Sequence, residues 1–170
     1  MNPHAPLESE AVLWSAERAE RAGRPLLVLL HGYGADERDL FGLLPYLPDR
    51  FVVAAVRAPL APPFPTPGYS WYPIEGLDGR DPAHVTSAAH QLLAWTDAAA
   101  SVDTSIGLLG FSQGAAVALQ AMRLEPSRFA FTVNLSGYVT PGELPRDAEL
   151  ADVRIFLDKQ LTALQQDGSA

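Results

Sequence analysis

Short, unbroken runs of apolar residues alternate along this chain with longer stretches in which apolar and polar positions mix. Four runs have the length of strands, residues 26–30, 51–56, 106–109 and 129–135, and only the last of them contains polar residues, Thr132 and Asn134. A strand without polar positions is typical of a parallel sheet covered on both faces, because neither face meets water. Strands that alternate with helices predict an α/β domain with a mostly parallel sheet and helices on both of its faces.

The intervening stretches predict four helices, at residues 10–22, 36–47, 83–100 and 113–124. The second begins with acidic residues, which are favoured near the positive end of the helix dipole. The fourth ends before Pro126, because proline lacks the amide hydrogen that a continuing helix needs.

Two interpretations are open for the C-terminal part of the chain. Between residues 145 and 166 the apolar positions recur at spacings of three and four, which predicts a helix: Leu150, Val153, Leu157, Leu161 and Leu164. The alternation of Val153, Ile155 and Leu157 predicts instead a short strand that ends at Asp158. The first pattern spans more of the sequence, so we favour the helix.

Residues 57–82 follow neither pattern and contain seven prolines. Proline fixes φ and removes a hydrogen-bond donor, so this segment is predicted to be an ordered loop rather than a helix or a strand. Its aromatic residues include Trp71 and Tyr72. Two roles are open for this pair: the side chains line an apolar substrate pocket, or they anchor the loop to the core.

The run most informative about chemistry lies where the third predicted strand meets the fourth predicted helix. Residues 110–114 read Gly-Phe-Ser-Gln-Gly, and an alanine-rich helix follows. A strand, Gly-x-Ser-x-Gly and a helix in this order are typical of a nucleophile elbow, a sharp turn that exposes a serine hydroxyl. Glycine is required on both sides because neighbouring chain passes too close for a Cβ atom. Ser112 is therefore the candidate nucleophile, and residues 110–114 are called the elbow below.

A second loop supplies what such a serine needs. Residues 31–35, called the His-Gly loop below, read His-Gly-Tyr-Gly-Ala and follow the first predicted strand. A carbonyl attacked by serine becomes an oxyanion, which two backbone N–H groups stabilise. The candidate donors are the amides of Gln113, next to the nucleophile, and of Tyr33. His31 is a candidate base, although a structural role is usual for histidine in such a loop.

Four segments resemble the phospholipase/carboxylesterase family of α/β-hydrolases, and in particular its acyl-protein thioesterases. They are residues 31–40 (HGYGADERDL), 68–72 (GYSWY), 110–114 (GFSQG) and 134–138 (NLSGY). The likeness extends from about Leu26 to Pro141. It implies an α/β-hydrolase fold, ester or thioester substrates, Ser112 as the nucleophile, and the amides of Tyr33 and Gln113 as the oxyanion hole.

The remaining members of a serine triad are not evident in the sequence. In this fold the acid and the histidine follow the serine along the chain. All four histidines precede Ser112: His4, His31, His84 and His90. Asp158 and Asp167 lie downstream; Asp158 is either the triad acid or, like Asp167, an ordinary solvated carboxylate. The triad acid and histidine are thus unassigned, and the resemblance implies a sheet shortened at its C-terminal side.

Composition narrows the range of partners. With 170 residues and 48% apolar content, the sequence predicts one domain over residues 1–170. A net charge of −8 argues against nucleic acid and anionic membranes, because both require clustered Lys and Arg. There is no cysteine, and we expect neither a metal nor a cofactor. A signal-peptide pattern and a membrane-spanning apolar run are both missing, so we expect a cytoplasmic protein.

Three functional hypotheses follow. The first is a serine esterase of the carboxylesterase or thioesterase type, which cleaves a small-molecule ester or thioester through an acyl-enzyme. Its base is then an unexpected residue or a histidine of a second subunit. The second is a catalytically impaired scaffold that serves as a binding module, and the third is a truncated product with a compromised fold. A shortened sheet exposes an edge, so we also expect a homodimer through that edge.

Overall fold

The described part of this computed structural model comprises Leu7, residues 11–74 and residues 81–140. It belongs to the first of the two units into which the chain divides, Met1–Thr140. The described strands and α-helices, in chain order, are β1 (Val12–Trp14), β2 (Leu26–Leu30), α1 (Glu37–Phe41), β3 (Val52–Val56), α2 (Pro82–Ala99), β4 (Ile106–Phe111), α3 (Gln113–Leu124) and β5 (Phe131–Leu135). Short 3₁₀ helices lie at Arg18–Glu20 and Leu44–Tyr46.

The five described strands form one sheet in the order β1-β3-β2-β4-β5. Strands β2 to β5 run parallel to their neighbours, and β1 is antiparallel to β3 at one edge. The predicted α/β class with a mostly parallel sheet is therefore confirmed. β2 begins and ends as predicted, whereas β5 begins at Phe131 rather than at Phe129.

Alternate residues of each buried strand face opposite sides of the sheet. Helices cover both of these sides. α2 and α3 pack through Leu92 and Val117 on the face that contains Val28. α1 packs through Leu40 on the opposite face, which contains Leu29. The two covered faces explain why the buried strands β2, β3 and β4 have no polar positions.

The prediction of a helix at residues 10–22 is wrong. Val12–Trp14 instead forms the antiparallel edge strand β1. Alanine and glutamate favour a helix here, but burying the apolar side chains against the sheet prevails over that weak preference. The Trp14 ring lies 6.1 Å from the ring of Trp95 in α2, and the Arg21 guanidinium lies 3.7 Å from the Trp14 ring centroid.

The second predicted helix, residues 36–47, is shorter than expected. α1 ends at Phe41, and a separate 3₁₀ helix follows at Leu44–Tyr46. Pro45 lies in that 3₁₀ helix and cannot donate the hydrogen bond that a continuous α-helix requires. The helix predicted at residues 113–124 has the bounds of α3.

Several expectations concern residues outside the described ranges. The helix or strand between residues 145 and 166 lies there, and so do Asp158 and Asp167. The single domain over residues 1–170 and the cytoplasmic location also stay predictions. Among the described residues, no helix is both long and apolar enough to cross a membrane.

Candidate active site

The His-Gly loop and the elbow lie side by side at the carboxyl ends of two neighbouring strands. β2 and β4 pair in parallel, and their register places Leu30 opposite Gly110. Both strands therefore end at the same edge of the sheet, and each leads directly into its loop. The topology thus brings together two segments that are far apart in the sequence.

Ser112 has a backbone conformation typical of a residue held at a sharp, strained turn. Its φ is 50° and its ψ is −111°, a combination that L-residues rarely adopt. Such a conformation costs on the order of 1–3 kcal/mol, which the surrounding structure must offset. The Ser112 amide donates to the Leu135 carbonyl at 2.8 Å, which ties the turn to the end of β5. The side chain is half-buried, and its hydroxyl has no hydrogen-bond partner among the described residues.

Gly110 and Gly114 allow the close packing on which the elbow depends. A Cβ atom added at Gly110 would lie 2.5 Å from the backbone nitrogen of Ala115. One added at Gly114 would overlap the Leu30 carbonyl and lie 2.5 Å from the carbonyl oxygen of His31. Atoms at these distances overlap, so a larger residue fits only if the backbone moves. The steric reason predicted for glycine at both positions is confirmed.

Two backbone N–H groups on these loops are free. Among the described residues, the amides of Tyr33 and Gln113 have no hydrogen-bond partner. The Gln113 amide belongs to the first turn of α3, where the helix dipole adds positive partial charge. Next to Tyr33, the Gly34 amide donates to the Tyr69 carbonyl at 2.9 Å, which holds the loop. The role of the two free amides in an oxyanion hole stays a prediction.

His31 is a structural residue rather than an available base. The ring is buried, and both of its nitrogens are engaged: Nδ1 with the Gly32 carbonyl at 2.7 Å and Nε2 with the Ala58 amide at 3.0 Å. Burial lowers its pKa below the ordinary value of 6.5, because the charged ring is poorly solvated there. The structural alternative weighed for His31 therefore agrees with the geometry.

Comparison with known proteins decides the identity of this fold. Residues 13–158 match the sequence model of the family described as Phospholipase/Carboxylesterase. The chain belongs to this family. The resemblance seen in the motifs is confirmed, and the match begins before Leu26 and ends after Pro141.

Solved structures with the same fold include proteins described as a carboxylesterase, an acyl-protein thioesterase and an esterase. A carboxylesterase from Mesorhizobium loti has 24% identity and a TM-score of 0.64, with 84% of this chain and 69% of that protein covered. Acyl-protein thioesterase 2 from Zea mays has 22% identity and a TM-score of 0.61, with 75% and 62% covered. Esterase PE8 has 32% identity and a TM-score of 0.57, with 69% and 59% covered. This chain thus spans between 59% and 69% of the length of these three proteins.

Sequence reasoning missed the side chain of Gln113 as a part of the candidate site. It is buried, and its oxygen accepts a hydrogen bond from the Trp71 amide at 2.8 Å. Its nitrogen donates to the Ser70 hydroxyl at 3.1 Å and to the Tyr72 carbonyl at 2.9 Å. The elbow is thereby joined to a loop more than 40 positions earlier in the chain, and no local sequence pattern signals such a contact.

Trp71 and Tyr72 are both almost fully buried in the main core, with 2% of each side chain exposed. The Trp71 indole donates to the His31 carbonyl at 2.8 Å, and the Tyr72 hydroxyl lies 2.6 Å from that of Tyr138. These contacts support the anchoring role. Both residues also line a cavity of about 260 Å³ beside the first turns of α2. The lining of that cavity includes His84 but not Ser112, so a substrate role for the pair stays a prediction.

An ion pair also missed by sequence reasoning holds the helix after the His-Gly loop. The buried carboxylate of Glu37, in α1, accepts from Arg57 at 2.7 Å and 2.6 Å in a bidentate pair. The hydrogen bonds from Arg57 lower the pKa of Glu37, and the same carboxylate raises the pKa of Arg57. The Arg57 guanidinium also lies 4.7 Å from the ring centroid of Tyr69. The ion pair thus fixes the start of α1, just after the His-Gly loop, to the residue that follows β3.

The other described histidines are placed on α2. His84 lies in its first turn and lines the cavity, and His90 is exposed. Neither is hydrogen-bonded to Ser112. Within the described ranges, no group of three or more histidine or acidic side chains is placed to hold a metal ion.

Proposed function

We propose that this chain is a serine hydrolase of the carboxylesterase or thioesterase type, with Ser112 as its nucleophile. The observation that carries the proposal is the Ser112 backbone, held at a φ of 50° beside the free amide of Gln113. Membership of the phospholipase/carboxylesterase family supports a small-molecule ester or thioester as the substrate class.

In the proposed reaction, the Ser112 oxygen bonds to the carbonyl carbon of the substrate while its proton passes to a base. The carbonyl oxygen becomes an oxyanion, to which the amides of Tyr33 and Gln113 donate hydrogen bonds. One such donor contributes roughly 10²–10³ to the rate in a comparable site. The bond to the leaving group then breaks, and the alcohol or thiol departs with the proton. Water attacks the acyl-enzyme, which releases the carboxylic acid and restores the serine.

The base is the part of this mechanism that the described residues do not supply. Both ring nitrogens of His31 are engaged, and no described side chain is hydrogen-bonded to the Ser112 hydroxyl. Removal of the triad histidine lowers the turnover of a serine protease by roughly a million-fold. The oxyanion hole and substrate binding alone retain roughly a thousand-fold acceleration. We therefore place the base outside the described ranges or in a second subunit.

The same observations favour a second candidate function, a catalytically impaired scaffold that binds acyl compounds. In that case the elbow and the two amides still bind a carbonyl group, but Ser112 stays a weak nucleophile because nothing removes its proton. Such a protein would react with a strongly electrophilic probe and would not turn over an ester.

The test combines hydrolysis of p-nitrophenyl butyrate with labelling by a fluorophosphonate probe, mapped by mass spectrometry. Ser112→Ala is the test variant, and Ser101→Ala, at an exposed serine after α2, is the matched control. We expect the wild type and Ser101→Ala to cleave the ester faster than Ser112→Ala and to carry the probe on Ser112. Labelling without turnover would favour the binding module. If the wild type shows no labelling and no turnover, the proposed role of Ser112 is contradicted.

A further inference from the structure

Residues 69–72, called the aromatic loop below, are hydrogen-bonded to the His-Gly loop. The Tyr69 amide donates to the Ala35 carbonyl at 2.8 Å, and the Trp71 indole donates to the His31 carbonyl at the same distance. The two bonds lie at opposite ends of the His-Gly loop. The aromatic loop therefore holds the segment that carries the Tyr33 amide.

The carboxamide of Gln113 holds the aromatic loop from the side of the elbow. The Trp71 amide can only donate and the Tyr72 carbonyl can only accept, so the group between them must accept at one atom and donate at the other. The Ser70 hydroxyl completes the arrangement, because it donates to the Tyr72 carbonyl at 2.6 Å and accepts from Gln113. The site is buried, so water does not replace a bond that is lost.

A carboxylate at position 113 cannot satisfy this site, although it has the same shape as the carboxamide. It accepts from the Trp71 amide, but its second oxygen faces the carbonyl of Tyr72 and has no proton to donate. Protonation of that carboxylate restores one donor. Position 113 therefore requires a hydrogen-bond donor. Gln has this donor at every pH, whereas Glu has it only when acid protonates the side chain.

We propose that the Gln113 side chain is a positioning residue for the hydrolase, an inference that rests on the proposed function. Its backbone amide is one candidate oxyanion donor, and its carboxamide orients that peptide against the aromatic loop. Through Trp71 the same contacts hold the His-Gly loop, which carries the other donor, Tyr33. An oxyanion hole acts only on the transition state, so a small displacement lowers the acylation rate and leaves initial binding unchanged.

The experiment compares fluorophosphonate labelling of Gln113→Glu and the wild type at pH 9 and at pH 5, as the ratio of the two rates at each pH. At pH 9 we expect the variant to be roughly 10- to 100-fold slower, with the loss in the maximal labelling rate and not in the probe concentration at half-saturation. At pH 5 the ratio rises toward one, because the protonated side chain donates again. Circular dichroism and a urea titration confirm that both proteins are folded at each pH.

The matched control is Gln120→Glu, which makes the same chemical change on the same helix. The side-chain nitrogen of Gln120 donates to the Thr86 hydroxyl at 3.0 Å, away from both loops. We expect its labelling rate to equal that of the wild type at both pH values. A Gln113→Glu ratio that does not change with pH overturns the positioning role, whatever the absolute rate. A wild type that is not labelled at Ser112 overturns the proposed function, and the positioning role with it.

Ser70→Ala decides the question if Gln113→Glu does not fold. This variant removes the hydroxyl that accepts from the Gln113 nitrogen and donates to the Tyr72 carbonyl. We expect its maximal labelling rate to fall several-fold, with the half-saturating probe concentration unchanged. Labelling equal to that of the wild type overturns the proposal.

Discussion

The Nε2 atom of His31 accepts a hydrogen bond from the amide of Ala58, and this bond exists only while Nε2 carries no proton. The proton of the neutral ring is then on Nδ1, which donates to the Gly32 carbonyl. The neutral histidine therefore connects the His-Gly loop to the segment after β3, and protonation of Nε2 would break the bond to Ala58.

The stability of the fold should depend on pH through His31. Its pKa is lowered by burial, so the native state stays neutral at pH values where the unfolded chain, with a pKa near 6.5, binds a proton. The unfolded state then binds more protons, and stability falls as the pH drops below about 6.5, by up to about 1.4 kcal/mol per pH unit. Urea unfolding between pH 8 and pH 5 measures this effect. The stability gap between wild type and His31→Gln should shrink with acid, and a gap that stays constant contradicts the argument.

Loss of one partner from the Glu37–Arg57 pair should destabilise the domain markedly. Breaking a fully buried pair costs roughly 3–5 kcal/mol, and because solvent reaches part of Arg57 we expect about 2 kcal/mol for Glu37→Gln. The comparison variant is Arg38→Gln, since Arg38 is 71% exposed and its ion pairs are longer, 3.4 Å to Asp36 and 3.7 Å to Glu37 itself. Exposed pairs of this kind contribute about 0–1 kcal/mol. Equal unfolding free energies for the two variants would show that the buried pair stabilises the domain no more than an exposed pair does.

Gly114→Ala should damage both stability and labelling of Ser112. The added Cβ atom overlaps the carbonyl groups of Leu30 and His31, which are backbone atoms and cannot rotate away. Overpacking of this kind costs about 1–3 kcal/mol, and it pushes the elbow away from the His-Gly loop. Gly42→Ala is the matched control, because its Cβ atom would lie an ordinary 3.5 Å from the Asp39 carbonyl. Thermal unfolding and the fluorophosphonate rate test both variants, and an unaffected Gly114→Ala protein would refute the packing argument.

The homodimer expected from the sequence should form through the edge of β5. β5 is the last described strand in the sheet order, and Val133 and Leu135 are each 36% exposed on the face that also bears Phe111. Unpaired strand edges with apolar side chains favour pairing with another chain. Light scattering after size-exclusion chromatography should show a dimer for the wild type and a monomer for Val133→Lys. Val102→Lys, at a site 86% exposed in the segment between α2 and β4, should stay dimeric; a monomeric wild type would disprove the expected association.

The parts of the site that could be predicted from sequence are those written in consecutive residues. Buried parallel strands appear as unbroken apolar runs, and a Gly-x-Ser-x-Gly turn requires its glycines for local steric reasons, so β2, α3 and the strained Ser112 were all within reach. The edge strand β1 was not, because its short apolar run lies in an alanine- and glutamate-rich segment and is a strand only when β3 is beside it.

The contacts that shape the site from a distance were equally out of reach. Gln113 meets residues 70–72, and Glu37 meets Arg57, through side-chain bonds between separate loops. Nothing in the local sequence around Gln113 distinguishes a buried carboxamide from an exposed one. The parallel pairing of β2 with both β3 and β4 brings the ends of these three strands, and the loops that follow them, to one edge of the sheet.

The bond from the Ser112 amide to the Leu135 carbonyl connects the proposed nucleophile to the end of β5, the last described strand on that side of the sheet. A ligand, denaturant or neighbouring molecule that frays the tip of β5 releases the peptide on which the hydroxyl is mounted. If Ser112 is the nucleophile that we propose, its reactivity should therefore fall when the end of β5 is displaced.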